Sequence, residues 1–176
     1  MGGRVVSERM TLRPKVAMPH FTCVPHVVAL GICDARPDAR ILWPHDVCDA
    51  ETCERVIEMS ARAGYDDDGT FCELTLRGAF EVTDEVKEAI RARMDAWEKA
   101  LRSRPRQAPL TPVLADYADA QGLLGRDVQL TYPNGNPACE GTFLGLDVWG
   151  RATVRLADGS EIEFGPERYH ILAPAR

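Results

Sequence analysis

The sequence has no excess of positive charge and no long hydrophobic run. Its 176 residues carry 21 Lys and Arg against 27 Asp and Glu, a net charge of −6. This balance argues against a broad nucleic-acid interface, because neutralising phosphates requires a basic face. The longest apolar run, residues 27–33, is far shorter than the ~20 residues of a membrane-spanning helix, and no export signal is visible. We therefore expect a cytoplasmic protein that binds neither nucleic acid nor membrane.

The motifs of common catalytic and metal sites are also missing. The sequence contains no glycine loop for phosphates, no serine nucleophile elbow and no histidine pair at metal-ligand spacing. Its six cysteines include no pair with a two-residue gap. Cys48 and Cys53 are separated by four residues, but zinc sites typically need a second such pair elsewhere. We therefore predict reduced cysteines and no bound metal.

Composition and periodicity predict a folded chain of helices and strands. Apolar residues make up 45% of the chain and charged residues 27%, as in globular domains. A first helix is predicted over residues 18–33, beginning near Pro25 and holding His26 at its surface. A second helix is predicted after Thr83, which can cap it. Its buried stripe is formed by Val86, Ile90, Met94, Trp97 and Leu101.

Turn residues predict how the strands connect. Residues 66–69, Asp-Asp-Asp-Gly, are typical of a tight hairpin turn between two strands. After residue 124 the apolar period changes to two, in five short runs separated by Gly, Asn and Asp. Short strands joined by tight turns favour a small closed barrel, because closure removes exposed sheet edges.

Residues 41–46, Ile-Leu-Trp-Pro-His-Asp, are the most informative stretch. The apolar residues predict a buried strand, and Pro44 ends it because proline cannot continue the hydrogen-bonded ladder. His45 and Asp46 would then emerge at the carboxyl end of the strand, where open sheets place ligand contacts. A histidine ordinarily titrates near neutrality, and we expect this of His45. It is interpreted either as a turn-stabilising residue or as a group that accepts a proton or contacts an anion.

The same stretch resembles the Lys-Trp-Pro-Asn-Asp signature of biotin protein ligases, in the biotin/lipoate protein ligase family. Trp43, Pro44 and Asp46 match the signature. Residues 10–14 are similar to the Leu-Arg-Pro strand end that precedes it, and residues 123–128 to the start of the SH3-like domain that closes the prokaryotic ligases. The resemblance implies an α+β fold like that of class II aminoacyl-tRNA synthetases and biotin ligases. Such a fold has a mixed β-sheet with covering helices, followed by a small SH3-like β-barrel.

The resemblance also implies a division into domains. Residues 1–104 correspond to a truncated catalytic-type α+β domain, 105–122 to a linker and helix, and 123–176 to the SH3-like barrel. In the family these parts surround a site for biotin and biotinyl-adenylate. The residues implied to contact biotin or biotinyl-adenylate here are Trp43, His45, Asp46 and Arg55.

Several family residues for adenylate chemistry are replaced in this sequence. Leu42 stands where the signature has Lys, and His45 where it has Asn. Residues 1–4 leave no room for the Gly-Arg-Gly-Arg loop that folds over biotin and the adenylate in the ligases. Residues 53–58 stand where the ligases have Lys-Leu-Ala-Gly-Ile-Leu, and only Arg55 can substitute for that lysine.

These differences lead to two functional expectations. The first is a ligase-like protein without ligase activity, which binds a small ligand or acts as a protein-interaction module. The alternative is a functional biotin-[acetyl-CoA-carboxylase] ligase, or a related acyl-adenylate-forming ligase, that uses a different ligand or a partner subunit. The expected partners are a second copy of the chain, a biotin carrier domain or a ligase.

Overall fold

In the computed structural model, which describes residues 6–174, two antiparallel sheets and three α-helices form an α+β fold. The first sheet has the strand order β1 (Val6–Leu12), β5 (Gly69–Gly78), β4 (Arg55–Asp66), β3 (Asp46–Asp49) and β2 (Ala39–Leu42). The second has the order β10 (His170–Pro174), β6 (Asp127–Thr131), β7 (Pro137–Leu146), β8 (Ala152–Arg155) and β9 (Glu161–Phe164). The helices are α1 (Val24–Ala35), α2 (Asp84–Ser103) and α3 (Leu114–Asp119), and 3-10 segments cover Met18–Cys23 and Thr111–Val113.

Helix α2 confirms the prediction made from its apolar stripe. All five stripe residues are buried, and the side chain of Thr83 accepts a hydrogen bond from the Val86 N–H at 3.4 Å. Asp84 and Glu85 occupy the first turn, where negative charge is favourable against the helix dipole. The stripe packs into the first of two hydrophobic cores, together with α1 and the first sheet.

Helix α1 is buried on nearly every side. Residues 24–32 are all buried, and a Cβ on Gly31 would lie 2.7 Å from the Ile90 Cα, so the close approach of α2 requires glycine there. The prediction that His26 lies at the surface is wrong, because its side chain is only 1% exposed. The turn that joins β7 to β8 covers it, with Gly150 packed against the imidazole.

The first sheet is antiparallel throughout, not mixed as predicted. Strands β1 and β2 run in the same direction, but α1 carries the chain from one edge of the sheet to the other, so they are not neighbours. The predicted Asp-Gly turn joins β4 to β5, in register from Asp66 opposite Gly69 to Ile57 opposite Gly78.

Strand β2 lies at the edge of its sheet. It ends at Leu42, the Trp43–Pro44 peptide bond is cis, and the chain reverses so that Asp46 begins β3 opposite Leu42. His45 therefore lies in a turn and not at the free end of a strand. The edge is covered by residues 120–122, since the Ile41 N–H donates to the Ala120 carbonyl at 2.8 Å.

The second core lies inside the second sheet and reaches into the first. It contains Val128, Leu130 and Phe143 from the second sheet, with Leu42 and Trp43 from the end of β2. Segment 105–122, predicted as a linker and helix, packs on the first core through Leu110 and Tyr117. No helix in the described part of the chain is long and apolar enough to cross a membrane.

Candidate ligand-binding cleft

A cleft of about 550 Å³ is lined by residues from both sheets and from the segment that begins α1. Its volume falls in the range of roughly 300–1,000 Å³ that is typical of small-molecule sites. The lining includes His26, His45, Met59, Ala61, Cys72 and His170. Because the second sheet supplies His170, the cleft is complete only when the two sheets are packed together.

Strand β4 forms one wall of the cleft with apolar side chains. Met59, Ala61 and Ala63 lie on the same face, because alternate residues of a strand point the same way. Cys72 on β5 is the register partner of Ala63 and also lines the cleft. Alanine side chains at two of these positions leave room for a ligand against the strand.

Three imidazoles form a row across the opposite side, and we call His26, His45 and His170 the imidazole row. The ring centroids of His26 and His45 are 5.9 Å apart, and those of His45 and His170 are 6.3 Å apart. Behind the row the ring of Tyr117 lies 5.6 Å from that of His26. Its hydroxyl donates to the Pro44 carbonyl and so fixes the turn that carries His45.

The nitrogens of this row are poorly satisfied. Neither ring nitrogen of His26, nor Nδ1 of His45, hydrogen-bonds another described residue, although all three atoms are buried. Most buried polar side-chain atoms in proteins do have such a partner. Nδ1 of His45 lies 3.9 Å from the Asp46 carboxylate, which leaves Nε2 as the nitrogen that a ligand in the cleft can contact.

Burial keeps the imidazole row uncharged at neutral pH. It lowers the pKa of His26 to about 4 and that of His45 to about 3, and the neighbouring imidazoles add to the effect on His45. The pKa of His170 is also lowered, first by burial and then by Arg55. A neutral imidazole offers one donor and one acceptor, so His45 can hydrogen-bond a ligand through Nε2 without contributing positive charge.

Asp46 lies behind the row as a buried structural carboxylate. It is 4% exposed and accepts a hydrogen bond from the Met59 N–H at 2.8 Å. Its other oxygen lies 3.3 Å from Nε of Arg55. Burial raises the pKa of Asp46 to about 6, although both of these contacts oppose that shift. Arg55 is thus held by Asp46 and is not among the residues that line the cleft.

The substitution Asp46→Ala is expected to lower the free energy of unfolding by about 1–3 kcal/mol, because the buried Met59 N–H loses its acceptor. Strand β3 pairs with β4 only at Val47–Ile57 and Cys48–Arg55, so no backbone carbonyl of β3 replaces it. Asp46→Asn keeps an acceptor oxygen and should lose less. Urea unfolding followed by circular dichroism measures both, and equal losses would show that the hydrogen bond to Met59 is unimportant.

Trp43, the third residue implied by the signature, packs away from the cleft lining. Its side chain is fully buried in the second core, and its indole N–H donates to the Gly150 carbonyl at 2.9 Å. The Trp43 carbonyl accepts from the Ile171 N–H at 3.3 Å. Trp43 therefore joins the two sheets on whose packing the cleft depends.

His45 was predicted from the sequence as a site residue, but its two imidazole neighbours were not. His26 and His170 come from α1 and β10, which are far apart in sequence. The sequence offered one clue to them, the small number of histidines. The chain has only four, and three of them converge here. Within residues 6–174 no group of three or more His, Cys, Asp or Glu residues is arranged to hold a metal ion.

Comparison with known proteins shows similarity in structure only. No protein-family model and no curated protein matches the sequence. Biotin protein ligase from Aquifex aeolicus superimposes with a TM-score of 0.67 at 15% identity, over 96% of this chain and 82% of the ligase. The same ligase in complex with biotin and ATP gives 0.66 at 15% identity, over 96% and 78% of the two chains. The chain therefore has a biotin protein ligase-like fold.

Proposed function

We propose that the chain uses this ligase-like fold to bind a small, mainly apolar ligand in the cleft, and that it does not itself form biotinyl-adenylate. The observation that carries the proposal is the row of buried and half-buried, uncharged imidazoles facing a wall of apolar side chains. Of the four residues proposed to contact the ligand, His45 lines the cleft directly. Trp43, Asp46 and Arg55 act behind it, by fixing the turn and the strands around it.

Residues at the family's lysine positions support the absence of adenylation. Activating a carboxylate with ATP requires cations placed where charge develops on the phosphates. Leu42, at the signature lysine position, is 1% exposed and packs in the second core. Arg55, the substitute for the other lysine, is held by Asp46 at 3.3 Å. Neither position offers a free cation to a nucleotide.

A pyrophosphate-exchange assay with biotin and ATP tests the chemistry, and a thermal-shift assay with biotin tests binding. We expect no exchange but a reproducible rise in melting temperature, which His45→Ala should abolish. His20→Ala, a histidine that does not line the cleft, should retain the rise. Turnover in the exchange assay would instead favour the alternative of an active biotin-type ligase. No thermal shift would contradict the binding proposal.

Finer features of the fold belong to the same proposal. We infer that the second sheet is an SH3-like barrel. The supporting contact is between Phe164 at the end of β9 and Tyr169 before β10, whose rings are 5.0 Å apart. The kinship with class II synthetases and the domain limits at residues 104 and 123 stay predictions. A homodimer, a biotin carrier or ligase as partner, and a cytoplasmic location also stay predictions.

A further inference from the structure

The cleft carries almost no positive charge. Among the described residues that line it there is no Lys or Arg, and the one carboxylate is Glu167, at its exposed mouth. Arg55, which stands where the family has a lysine, is paired with Asp46 and lines a different surface depression beside Glu58 and Arg77. A ligand that fills the cleft therefore meets neutral imidazoles, thioether and methyl groups, and one negative charge.

This charge distribution distinguishes a carboxylic acid from its amide. Taking an ionised carboxylate out of water is costly unless a cation or several donors compensate it. The polar groups on offer are the neutral imidazoles of His45 and His170, both in the lining. A carboxamide is uncharged and supplies both a donor and an acceptor, so it suits these groups at a smaller cost of desolvation.

We propose that the cleft selects the uncharged amide form of its ligand over the free carboxylic acid. This inference rests on the proposed binding function and specifies its ligand class. An amide is the form that such an acid takes once it has been joined to an amine, for example to a lysine side chain. Met18 and Glu167 are exposed at the mouth, so the amide nitrogen can carry a longer chain out of the cleft. The protein would then recognise a ligation product and not a ligation substrate.

Isothermal titration calorimetry with biotin and with its primary amide, at about pH 7.5, tests this selectivity. The two probes have nearly the same size and differ in charge. We expect the amide to bind at least about tenfold more tightly than the acid, since that ratio corresponds to only about 1.4 kcal/mol of the desolvation cost. Equal or tighter binding of the acid would overturn the inference while leaving the binding function intact. Binding of neither probe would contradict both.

Two alternative substitutions at one position of the cleft wall test whether the selectivity depends on charge. Ala63 is exposed and lines the cleft, so Ala63→Lys adds an ammonium group without disturbing the core. Ala63→Gln is the matched control, because it adds a long polar side chain without charge. We expect Ala63→Lys to reduce or reverse the preference for the amide, and Ala63→Gln to keep it. The same preference in both variants would contradict a charge-based selection.

Discussion

Trp43→Ala is expected to lower the free energy of unfolding by about 3–5 kcal/mol, the usual cost of truncating a large buried aromatic side chain. The indole is fully buried between the end of β2 and the second sheet, so its removal leaves a cavity between the two. It also deprives the Gly150 carbonyl of its N–H donor at 2.9 Å. Urea unfolding followed by far-ultraviolet circular dichroism measures the loss.

Trp149→Ala provides the matched control, since it removes the same side chain from a position that is 47% exposed. Surface substitutions usually change stability by less than about 0.5 kcal/mol, so this variant should remain close to the parent protein. Similar losses in the two variants would contradict the interpretation that Trp43 joins the sheets.

His26→Leu is expected to stabilise the protein by about 1–3 kcal/mol at neutral pH, the opposite of most buried substitutions. The imidazole is 1% exposed and neither ring nitrogen has a described hydrogen-bond partner. Leucine fills a similar volume without unpaired polar atoms. A gain in the free energy of unfolding would show that His26 lowers the stability of the protein, as expected of a residue that has a role in the cleft.

The advantage of His26→Leu should increase as the pH falls. Burial lowers the pKa of His26 from 6.5 to about 4, so between these values the unfolded chain binds a proton that the folded chain does not. The parent protein therefore loses stability as the pH falls through this window, and the variant lacks this loss. The difference between them should widen by roughly 3 kcal/mol from pH 6.5 to pH 4.

Urea unfolding at a series of pH values measures this difference. Asp46, whose pKa is raised to about 6, makes the folded state more stable as the pH falls, opposite to the effect of His26. Both proteins contain Asp46, so its contribution cancels from the difference between them. Val28→Ala, a truncation of a fully buried non-titrating neighbour in α1, should be destabilising by an amount that does not change with pH. A constant difference for His26→Leu as well would contradict the assignment of a buried neutral imidazole.

Local signals were sufficient where an element is specified by its own residues. The stripe of α2 repeats with the helical period and Thr83 caps it, so both its start and its buried face could be predicted. The turn before Gly69 was equally predictable, because that residue adopts φ of 103°, a conformation that glycine tolerates best. The strands after residue 124 could also be predicted from local patterns, namely the alternation of apolar residues and the turn residues between the runs. The pairing of these strands could not be predicted.

Local sequence patterns did not predict a residue's surroundings where these come from distant parts of the chain. His26 follows a proline at the start of a helix, which predicts its place along the helix but not the β7–β8 turn that covers it. Asp46 was identified as a site residue, yet its hydrogen bond to Met59 depends on where β3 stops pairing with β4. The antiparallel order of the first sheet likewise depends on α1 crossing from edge to edge.

The sequence by itself determined the helices, the hairpin, the turn at Pro44 and the excess of acidic over basic residues, because each follows from neighbouring residues or from composition. Only the tertiary structure decided that three histidines form a row, that Trp43 packs between the sheets and that Arg55 is held by Asp46. These facts depend on contacts between α1, the β2–β3 turn and β10, which are distant in sequence. Burial then set the charge state of the row, since the pKa of a histidine responds to the loss of water around it.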